Sequence, residues 1–495
     1  MKTKSLTSSE RDFLELIAGA AFANPFGKNR VELDLKISGL THKASDMERL
    51  SAVSGKVRNF IIKLEKAGKN RINDYSGHDR STIEIANLFD VFHRFFEKFD
   101  HLIEKQVTTE DHSCTVPFAQ DILKELAARG FARNETRRYL AMFYQLRRAF
   151  YFIDVALIGR STSMQQLRRA LWNNVFTHDI RLYDQHLWNR MEDFSTLLLG
   201  ETGTGKGTAA TAIGRSGFIP FDEKKGRFTE SFMKSFVSIN LSQYPETLIE
   251  SELFGHRKGA FTGAVDAYEG IFSRCSLHGA IFLDEIGDVT IPVQIKLLQI
   301  LQERTFSPVG SHEKQRFNGR VIAASNKSIE KLRHDKLFRD DFFYRLCSDV
   351  ITVPSLQQRI QEDPKELNEL LNVTIERTVG HKSPELIEMV SEVIRRELGT
   401  DYPWPGNVRE LEQCVRRTLL TRSYKGDQSS ISPDLRSKIL NQIDAGTYTA
   451  QNLLADYCSL LYNRHGTYEE VAKRSGLDRR TVKKYIASHN KDSGQ

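Results

Sequence analysis

The chain has 495 residues, of which 40% are hydrophobic and 27% charged, with a formal net charge of +7 at pH 7. This length suggests about three domains, and the composition excludes a wholly disordered chain. No apolar run approaches the roughly 18 residues of a membrane span, and the N-terminal residues lack a signal-peptide pattern. Five separated cysteines without a C-x-x-C pair favour a reducing compartment, with the cytoplasm as the default. The small basic excess permits contact with nucleic acid but does not establish it.

Residues 1–155 are predicted to be mostly helical. Ser8 or Ser9 is expected to cap the first helix, and apolar and aromatic residues recur at helical spacing over 83–103 and 118–158. Periodic aromatic residues usually form a buried core; a ligand pocket or a groove for a partner is the alternative. The region contains no internal repeat and no recognisable cluster of aspartates typical of a phosphorylated receiver domain.

Residues 156–355 show a different texture, in which short apolar runs alternate with amphipathic stretches. The runs at 195–199, 236–239, 280–283 and 321–324 are predicted to be buried strands. Such alternation predicts an α/β fold with a largely parallel sheet covered by helices on both faces. Residues 356–425 return to a helical pattern, and residues 426–495 are predicted to form a linker followed by a helical C-terminal domain.

A glycine-rich loop follows the first predicted strand and has the spacing G-x-x-x-x-G-K. Its residues are Gly200, Glu201, Thr202, Gly203, Thr204, Gly205, Lys206, Gly207 and Thr208. The backbone amides of such a loop and the following helix N-terminus bind phosphates, and Lys206 reaches the terminal phosphates of a nucleotide. The generic loop has Ser or Thr directly after the lysine to hold magnesium. Because Gly207 stands there, Thr208 is the candidate magnesium ligand one place late, and that role is left open.

Two carboxylates, Asp284 and Glu285, end the strand at 280–283. Beside a phosphate loop, Asp284 is expected to hold Mg²⁺ directly or through water, and Glu285 to orient or deprotonate the attacking water. Asn326 follows the next strand, where it is either a sensor of the γ-phosphate or an ordinary turn residue.

Several separated motifs identify a family. They are ESELFGHRKGAFTGA at 250–264, GAIFLDEIG at 279–287, FRDD at 338–341, YRL at 344–346 and WPGNVREL at 404–411. Together they resemble the bacterial enhancer-binding proteins, AAA+ ATPases that activate transcription by sigma-54 RNA polymerase. The resemblance covers about residues 157–425. It implies an AAA+ α/β subdomain at 156–355 and a helical lid subdomain at 356–425.

The resemblance implies roles for individual residues. Lys206 and Asp284 would bind ATP and magnesium, and Glu285 would activate water. Asn240 would hold the catalytic glutamate inactive until sigma-54 contact. Asn326 would be the first sensor and Arg409 the second. Arg339 and Arg345 would form the arginine pair that enters the neighbouring subunit's site. A site shared between subunits requires a ring, and a hexamer is the family expectation. Gly207 also departs from the glutamate that family members often carry there, which puts the hydrolysis rate in question.

The loop GAFTGA comprises Gly259, Ala260, Phe261, Thr262, Gly263 and Ala264, and by resemblance it contacts sigma-54. Its glycines and small alanines allow a tip bearing Phe261 and Thr262 to swing outward with nucleotide state. The alternative is an ordinary hairpin tip, for which an exposed phenylalanine is a poor choice.

A helix-turn-helix pattern occupies residues 466–487, with a first helix over 468–474, a turn at 475–477 and a second helix from Asp478. It resembles the Fis-type DNA-binding domain. The predicted DNA-facing residues are Arg479, Arg480, Thr481, Lys483 and Lys484, whereas Leu477, Val482 and Ile486 are predicted to pack inward. The alternative is a basic solvated helix. A dimer face is predicted at Tyr457, Leu460 and Leu461.

The sequence therefore indicates a sigma-54-dependent transcriptional activator that binds upstream DNA and hydrolyses ATP in an oligomeric ring. The expected homo-oligomers range from a dimer to a hexamer. Residues 1–155 would form a regulatory domain that answers an unknown signal or partner. The alternative function is a DNA-binding regulator or repressor that uses ATP only for assembly. Relatives of that kind usually lose the GAFTGA loop, which is intact in this chain.

Overall fold

The computed structural model describes residues 4–334, 337–426 and 448–492, together with 439, 442, 443 and 446. The chain divides into two compact units. The first contains Met1–Ile387 with Gly406–Gln413, and the second contains Glu388–Pro405 with Cys414–Gln495. Across the described residues, none of the helices combines the length and the apolar character needed to cross a bilayer.

The N-terminal region is helical, as predicted. Its helices are α1 (Ser8–Phe22), α2 (Lys28–Ser38), α3 (Asp46–Lys66), α4 (Gly77–Thr109), α5 (Ala119–Ala128) and α6 (Arg133–Phe150), and α7 (Thr162–Phe176) follows just beyond residue 155. The first helix is capped by Thr7, not by Ser8 or Ser9. The Thr7 hydroxyl accepts a hydrogen bond from the Glu10 amide, and the Glu10 carboxylate accepts one from the Thr7 amide. This reciprocal pair satisfies amides that the helix itself leaves free.

A five-stranded parallel sheet forms the centre of the α/β region. Its strands are β1 (Thr196–Leu199), β2 (Phe236–Asn240), β3 (Ala280–Asp284), β4 (Arg320–Ser325) and β5 (Asp349–Thr352), in the order β2-β3-β4-β1-β5. The register pairs Asn240 with Asp284 and Leu199 with Ser325. The carboxyl ends of β1 to β4 therefore meet at one edge, where polar residues follow each strand. The four predicted strands are confirmed, and the sequence analysis missed β5.

Helices cover the sheet and extend beyond it. They are α8 (Lys206–Gly214), α9 (Glu246–Phe254), α10 (Ile291–Glu303), α11 (Asp340–Leu346), α12 (Leu356–Glu362), α13 (Lys365–Val379), α14 (Pro384–Glu397) and α15 (Asn407–Thr421). The last four belong to the region predicted as a helical lid. The first turn of α15 lies in the same compact unit as the sheet, which brings it to the loop after β1.

One apolar core runs from the N-terminal helices into the sheet region. The Tyr144 ring stacks on Phe228 with centroids 4.0 Å apart. Arg148 is fully buried, and its guanidinium donates to the carbonyls of Arg215 at 2.7 Å and Gly217 at 2.6 Å. Residues on both sides of position 155 thus share a continuous interior, and removal of the N-terminal helices would expose it to water.

Three helices at the C-terminal end of the second unit form a small domain of their own: α16 (Ala450–His465), α17 (Tyr468–Ser475) and α18 (Arg479–Asp492). Their core contains Cys458, Leu461, Val471, Val482 and Ile486, with Leu477 packed against it. The inward positions predicted for Leu477, Val482 and Ile486 are confirmed. Leu461, predicted on a dimer face, packs into this core instead.

Candidate nucleotide site and its flanking surfaces

The loop between β1 and α8 encloses the lysine of the predicted phosphate site. Lys206 is buried, and its Nζ donates to the carbonyls of Gly200 at 2.8 Å and Glu201 at 3.1 Å. Gly203 and Gly205 have φ of +81° and +104°, in the left-handed region that favours glycine. Thr204 donates its hydroxyl to the Glu201 carbonyl at 2.9 Å. The loop therefore winds around the ammonium group at the start of α8.

Charges of both signs converge on this lysine. Burial lowers the pKa of Lys206, while the nearby carboxylates of Glu285 and Asp284 oppose that shift and the guanidinium of Arg409 adds to it. These four side chains come from the phosphate loop, the end of β3 and the start of α15. The structure thus brings together a cation, two carboxylates and a second cation, as the sequence analysis predicted for a nucleotide site.

Glu285 has an unusual backbone and an unusual acidity. Its φ of +56° is in the left-handed region, and its amide donates to Asp284 Oδ1 at 3.0 Å. Burial raises the pKa of Glu285, with the negative charges of Asp284 and Asp288 acting in the same direction and Lys206 acting against them. A carboxylate whose pKa is raised accepts a proton more readily, which suits a general base.

The two predicted asparagines lie at the ends of β2 and β4, the strands on either side of β3. Asn240 ends β2, paired in register with Asp284, and its Oδ1 accepts hydrogen bonds from the amide of Ser242 at 3.0 Å and the hydroxyl at 2.8 Å. Asn326 directly follows β4 and is exposed. Its backbone amide, not its side chain, is the group that hydrogen-bonds the Glu285 carboxylate and lowers its pKa.

Asn407 is a site residue that the sequence analysis did not single out. It is fully buried, and its amide group donates to Glu201 Oε2 at 3.0 Å and to the Thr202 carbonyl at 3.1 Å. Its Oδ1 accepts from the Leu356 amide at 2.7 Å. Its φ of +53° lies in the left-handed region, which asparagine tolerates better than most residues. Asn407 therefore ties the start of α15 to the phosphate loop and to the start of α12.

Backbone contacts strengthen the same connection. The Val408 amide donates to the Gly203 carbonyl at 3.1 Å. A Cβ at Gly203 would lie 2.2 Å from the Gly406 carbonyl oxygen and 3.0 Å from the Cβ of Arg409. The position of Arg409 beside the loop thus depends on a glycine that the phosphate-loop pattern already contains. No sequence signal announces this dependence, because the partners are about 200 residues apart.

Arg339 directly precedes α11 and Arg345 lies in its last turn, and both are engaged away from the phosphate loop. The exposed Arg339 guanidinium donates to both oxygens of Asp341, Nε at 3.0 Å and Nη2 at 2.8 Å. This hydrogen-bonded pair raises the pKa of Arg339. Arg345 donates from Nε to the Leu301 carbonyl at 2.8 Å.

The two residues that follow Lys206 lie in the first turn of α8 and are accessible to solvent. Gly207 and Thr208 are both exposed. A Cβ at Gly207 would meet no atom within 4 Å, so the site has room for a side chain there.

The GAFTGA loop holds its own shape by backbone hydrogen bonds. The Gly259 amide donates to the Ala264 carbonyl at 2.8 Å, and the Ala264 amide donates to the Phe261 carbonyl at 3.0 Å. Ala264 is buried, whereas Phe261 is 37% exposed and packs edge-on against the His256 ring at 4.9 Å. The exposed residues at the tip are Phe261, Thr262 and Gly263, with Ala260 half-buried beside them. An aromatic side chain is thus presented at a tip.

The hairpin formed by the short strands Thr305–Phe306 and Gln315–Arg316 supports the base of this loop through the residues between them. The Arg257 amide donates to the Val309 carbonyl at 3.1 Å, and the Arg257 guanidinium forms an ion pair with Glu313. His256 Nε2 donates to the Asp266 carbonyl at 3.0 Å, and His256 Nδ1 lies 2.7 Å from the Ser251 hydroxyl. The base is therefore held by hydrogen bonds and an ion pair, and at the tip the Phe261 ring packs against His256.

The last two helices present a basic face. The Asp478 carboxylate caps α18, accepting from the amides of Arg480 at 2.9 Å and Thr481 at 3.1 Å. Gly476, with φ of +70°, ends α17 and makes the turn. The predicted DNA-facing residues Arg479, Arg480, Lys483 and Lys484 are exposed, and Thr481 is half-buried.

A parallel sheet with a phosphate loop after β1 and paired carboxylates at the end of β3 defines a P-loop nucleotide-binding protein. Residues 178–352 match the sigma-54 interaction domain family. The transcriptional regulatory protein GlrR of Escherichia coli K12 is 33% identical over 326 residues, which is 63% of this chain and 67% of GlrR. The regulatory protein AtoC of the same strain is 30% identical over 355 residues, covering 66% of this chain and 72% of AtoC.

The solved structure of NtrX from Brucella abortus in complex with ATP is a more distant likeness, with 21% identity and a TM-score of 0.39 over 74% of this chain and 80% of NtrX. The sequence matches decide the assignment. The chain belongs to the bacterial enhancer-binding proteins, the family of sigma-54-dependent transcriptional activators.

Proposed function

We propose that this chain hydrolyses ATP within a ring of subunits and uses the cycle to remodel sigma-54 RNA polymerase into the open complex. The observation that carries the proposal is the convergence of Lys206, Asp284, Glu285 and Arg409 at one sheet edge. The same unit also carries an intact GAFTGA loop with an exposed tip.

Nucleotide binding would use the amides of 200–208, the ammonium of Lys206 and the guanidinium of Arg409. Mg²⁺ is commonly held by one or two carboxylates together with substrate phosphates, and Asp284 with Thr208 fits that donor set. A bound Mg²⁺ would supply charge neutralisation for the phosphates. Glu285 accepts the proton of the attacking water, which its raised pKa favours.

Arg339 and Arg345 act on the neighbouring subunit's nucleotide, so the site is complete only in a ring, for which we propose a hexamer. Arg339 is paired with the exposed Asp341, and Arg345 donates to one carbonyl. A guanidinium is suited to this task because it stays charged and spreads its donors over phosphate oxygens.

The GAFTGA tip contacts sigma-54, and the basic face of α18 binds upstream DNA. Asn240 would hold Glu285 inactive until sigma-54 contact by donating its side-chain NH₂ group to the carboxylate, while its Oδ1 accepts from Ser242. The α18 face is a cluster of exposed lysine and arginine residues on a capped helix, which fits a major groove and its phosphates. We place the chain in the cytoplasm, with residues 1–155 receiving a signal or partner.

The decisive variant is Thr262→Ala, which alters the tip and leaves the nucleotide site intact. We expect ATP hydrolysis to persist and sigma-54-dependent transcription in a reconstituted system to fall to background. Thr229→Ala, at another exposed threonine of the same unit, is the matched control and should leave both activities unchanged. Normal transcription by Thr262→Ala would refute the sigma-54 contact. ATP binding without hydrolysis in the parent chain would instead favour a regulator that uses ATP only for assembly.

A further inference from the structure

A large cavity lies among the N-terminal helices and α7, with a volume of about 890 Å³. Small-molecule sites in proteins typically span about 300–1,000 Å³. Its aromatic lining includes Phe26, Phe89, Phe92, Phe96, Phe150 and Trp172. The aromatic periodicity in the sequence therefore produces both a packed core and a space beside it, where the sequence analysis favoured the core alone.

The lining contains the imidazole of His93, which has one ring nitrogen that can accept a hydrogen bond. The His93 ring stacks on Phe89 with centroids 3.9 Å apart, and its Nδ1 lies 2.8 Å from the Phe89 carbonyl. Burial lowers the pKa of His93 to about 3, and the charges of Arg30 and Arg147 add to that shift. The ring is thus neutral at pH 7. Since Nδ1 must donate to the carbonyl, Nε2 is the acceptor.

The arginines beside His93 already have anionic partners. Arg30 donates from Nε to Asp34 at 2.8 Å. Arg147 pairs with both oxygens of Asp100, at 2.5 and 2.8 Å, and its guanidinium lies 3.7 Å from the centre of the Phe96 ring. Beside His93, a negatively charged group would have to compete with these carboxylates for their arginines, whereas an uncharged one would not.

We propose that this cavity binds an uncharged, mainly apolar aromatic small molecule that donates one hydrogen bond to His93 Nε2. The aromatic lining supplies the contact area, and the imidazole supplies the orientation.

Helix α6 lines the cavity with some of its residues and hydrogen-bonds to the chain just after α8 with another. On α6, Leu146, Arg147 and Phe150 face the cavity, whereas Arg148 donates to the carbonyls of Arg215 and Gly217 just after α8. Because α8 begins at Lys206, a ligand that repositions α6 acts on the helix that carries the phosphate-binding lysine. This coupling rests on the proposed ATPase function; the binding site does not.

The test uses the full chain and two probes of similar size, 2-naphthol, which donates one hydrogen bond, and naphthalene, which donates none. We expect 2-naphthol to bind in a 1:1 ratio about tenfold more tightly, as one hydrogen bond implies. His93→Phe should remove that tenfold advantage while naphthalene still binds. Leu146→Trp, which places an indole ring in the cavity lining next to Arg147, should weaken binding of both probes. Val155→Trp, at a nearby residue that is 60% exposed, is the matched control and should bind like the parent chain.

No binding of either probe to the parent chain, or unchanged binding in Leu146→Trp, would overturn the proposal. So would a tenfold preference for 2-naphthol that survives in His93→Phe. Circular dichroism of each variant checks that it is folded. Binding is measured without ATP, so its failure is separate from failure of the proposed ATPase. If ATP hydrolysis does not change at saturating 2-naphthol, the coupling through α6 is refuted and the binding site is not.

Discussion

Two glycine-rich loops of this chain use glycine for different physical reasons. In the phosphate loop, Gly203 has φ of +81° and a neighbouring backbone so close that a Cβ would lie 2.2 Å from the Gly406 carbonyl oxygen. In the GAFTGA loop, Gly259 has φ of +80° but no atom within 4 Å of the same position. The first loop needs glycine for close approach and conformation together, the second for conformation alone. Similar composition therefore builds one loop whose glycine is confined by neighbouring backbone and another whose glycine has open space beside it.

The largest effect is expected at the nucleotide site. Glu285→Gln keeps the size of the side chain and removes its ability to accept a proton. We expect kcat for ATP hydrolysis to fall by about 10²–10⁴-fold, the usual contribution of a general base. ATP affinity, measured by isothermal titration calorimetry, should be retained. Hydrolysis at the parent rate would show that another group takes the proton.

The acidity of Glu285 gives a second test on the unchanged protein. A general base works only when it is deprotonated, and burial raises the pKa of Glu285. As pH falls, hydrolysis should therefore decline at a higher pH than an ordinary glutamate would give, with about a tenfold loss per pH unit below the pKa. The kcat–pH profile measures this limb. A limb in the usual range of exposed glutamates would contradict the assignment of Glu285 as the base.

Two matched substitutions, Gly203→Ala and Gly259→Ala, test the difference between the two loops directly. Both force alanine into nearly the same backbone conformation, at a cost of about 1–3 kcal/mol. Only Gly203→Ala also pushes a methyl group into the Gly406 carbonyl. We expect the larger fall in thermal midpoint, and a loss of ATP affinity, in that variant. Equal midpoints and unchanged ATP affinity would mean that the start of α15 does not need its close contact with the phosphate loop.

The parts of the site that sequence could predict are those encoded in adjacent residues. The phosphate loop, the Asp284–Glu285 pair and four apolar strands each have a short pattern with a local physical cause. The strand at Asp349–Thr352 was missed because only Val350 and Ile351 are apolar between polar ends. Thr7 was missed as the cap of α1 because two serines follow it directly. The cavity was not separable from a core, since both require periodic aromatic residues and differ only in how helices pack.

Asn407 could not be predicted as a site residue because its partners Glu201 and Leu356 are distant in the sequence. Removing its side chain tests whether it connects the start of α15 to the phosphate loop and to α12. Asn407→Ala leaves the Leu356 amide and the Glu201 carboxylate without their partner. Such a loss typically costs about 1–3 kcal/mol. We expect a lower thermal midpoint and weaker ATP binding. Asn372→Ala removes an exposed asparagine of α13 that bonds only within its own helix, and it should change neither. Equal behaviour of the two variants would contradict the role of Asn407.

The smallest effect is expected at Gly207, where the phosphate loop lacks the usual hydroxyl. A Cβ at this position meets no atom within 4 Å, so Gly207→Ser should fold as the parent does. Gly207→Ala is the control because it makes the same backbone change without the hydroxyl. If Thr208 substitutes poorly for a residue directly after Lys206, the serine variant alone should hydrolyse ATP at lower Mg²⁺ concentrations. Identical Mg²⁺ dependence of both variants would mean that the late threonine, or Asp284 without it, already suffices. The departure from the generic loop would then have no cost, because the ion takes most of its ligands from phosphate and water.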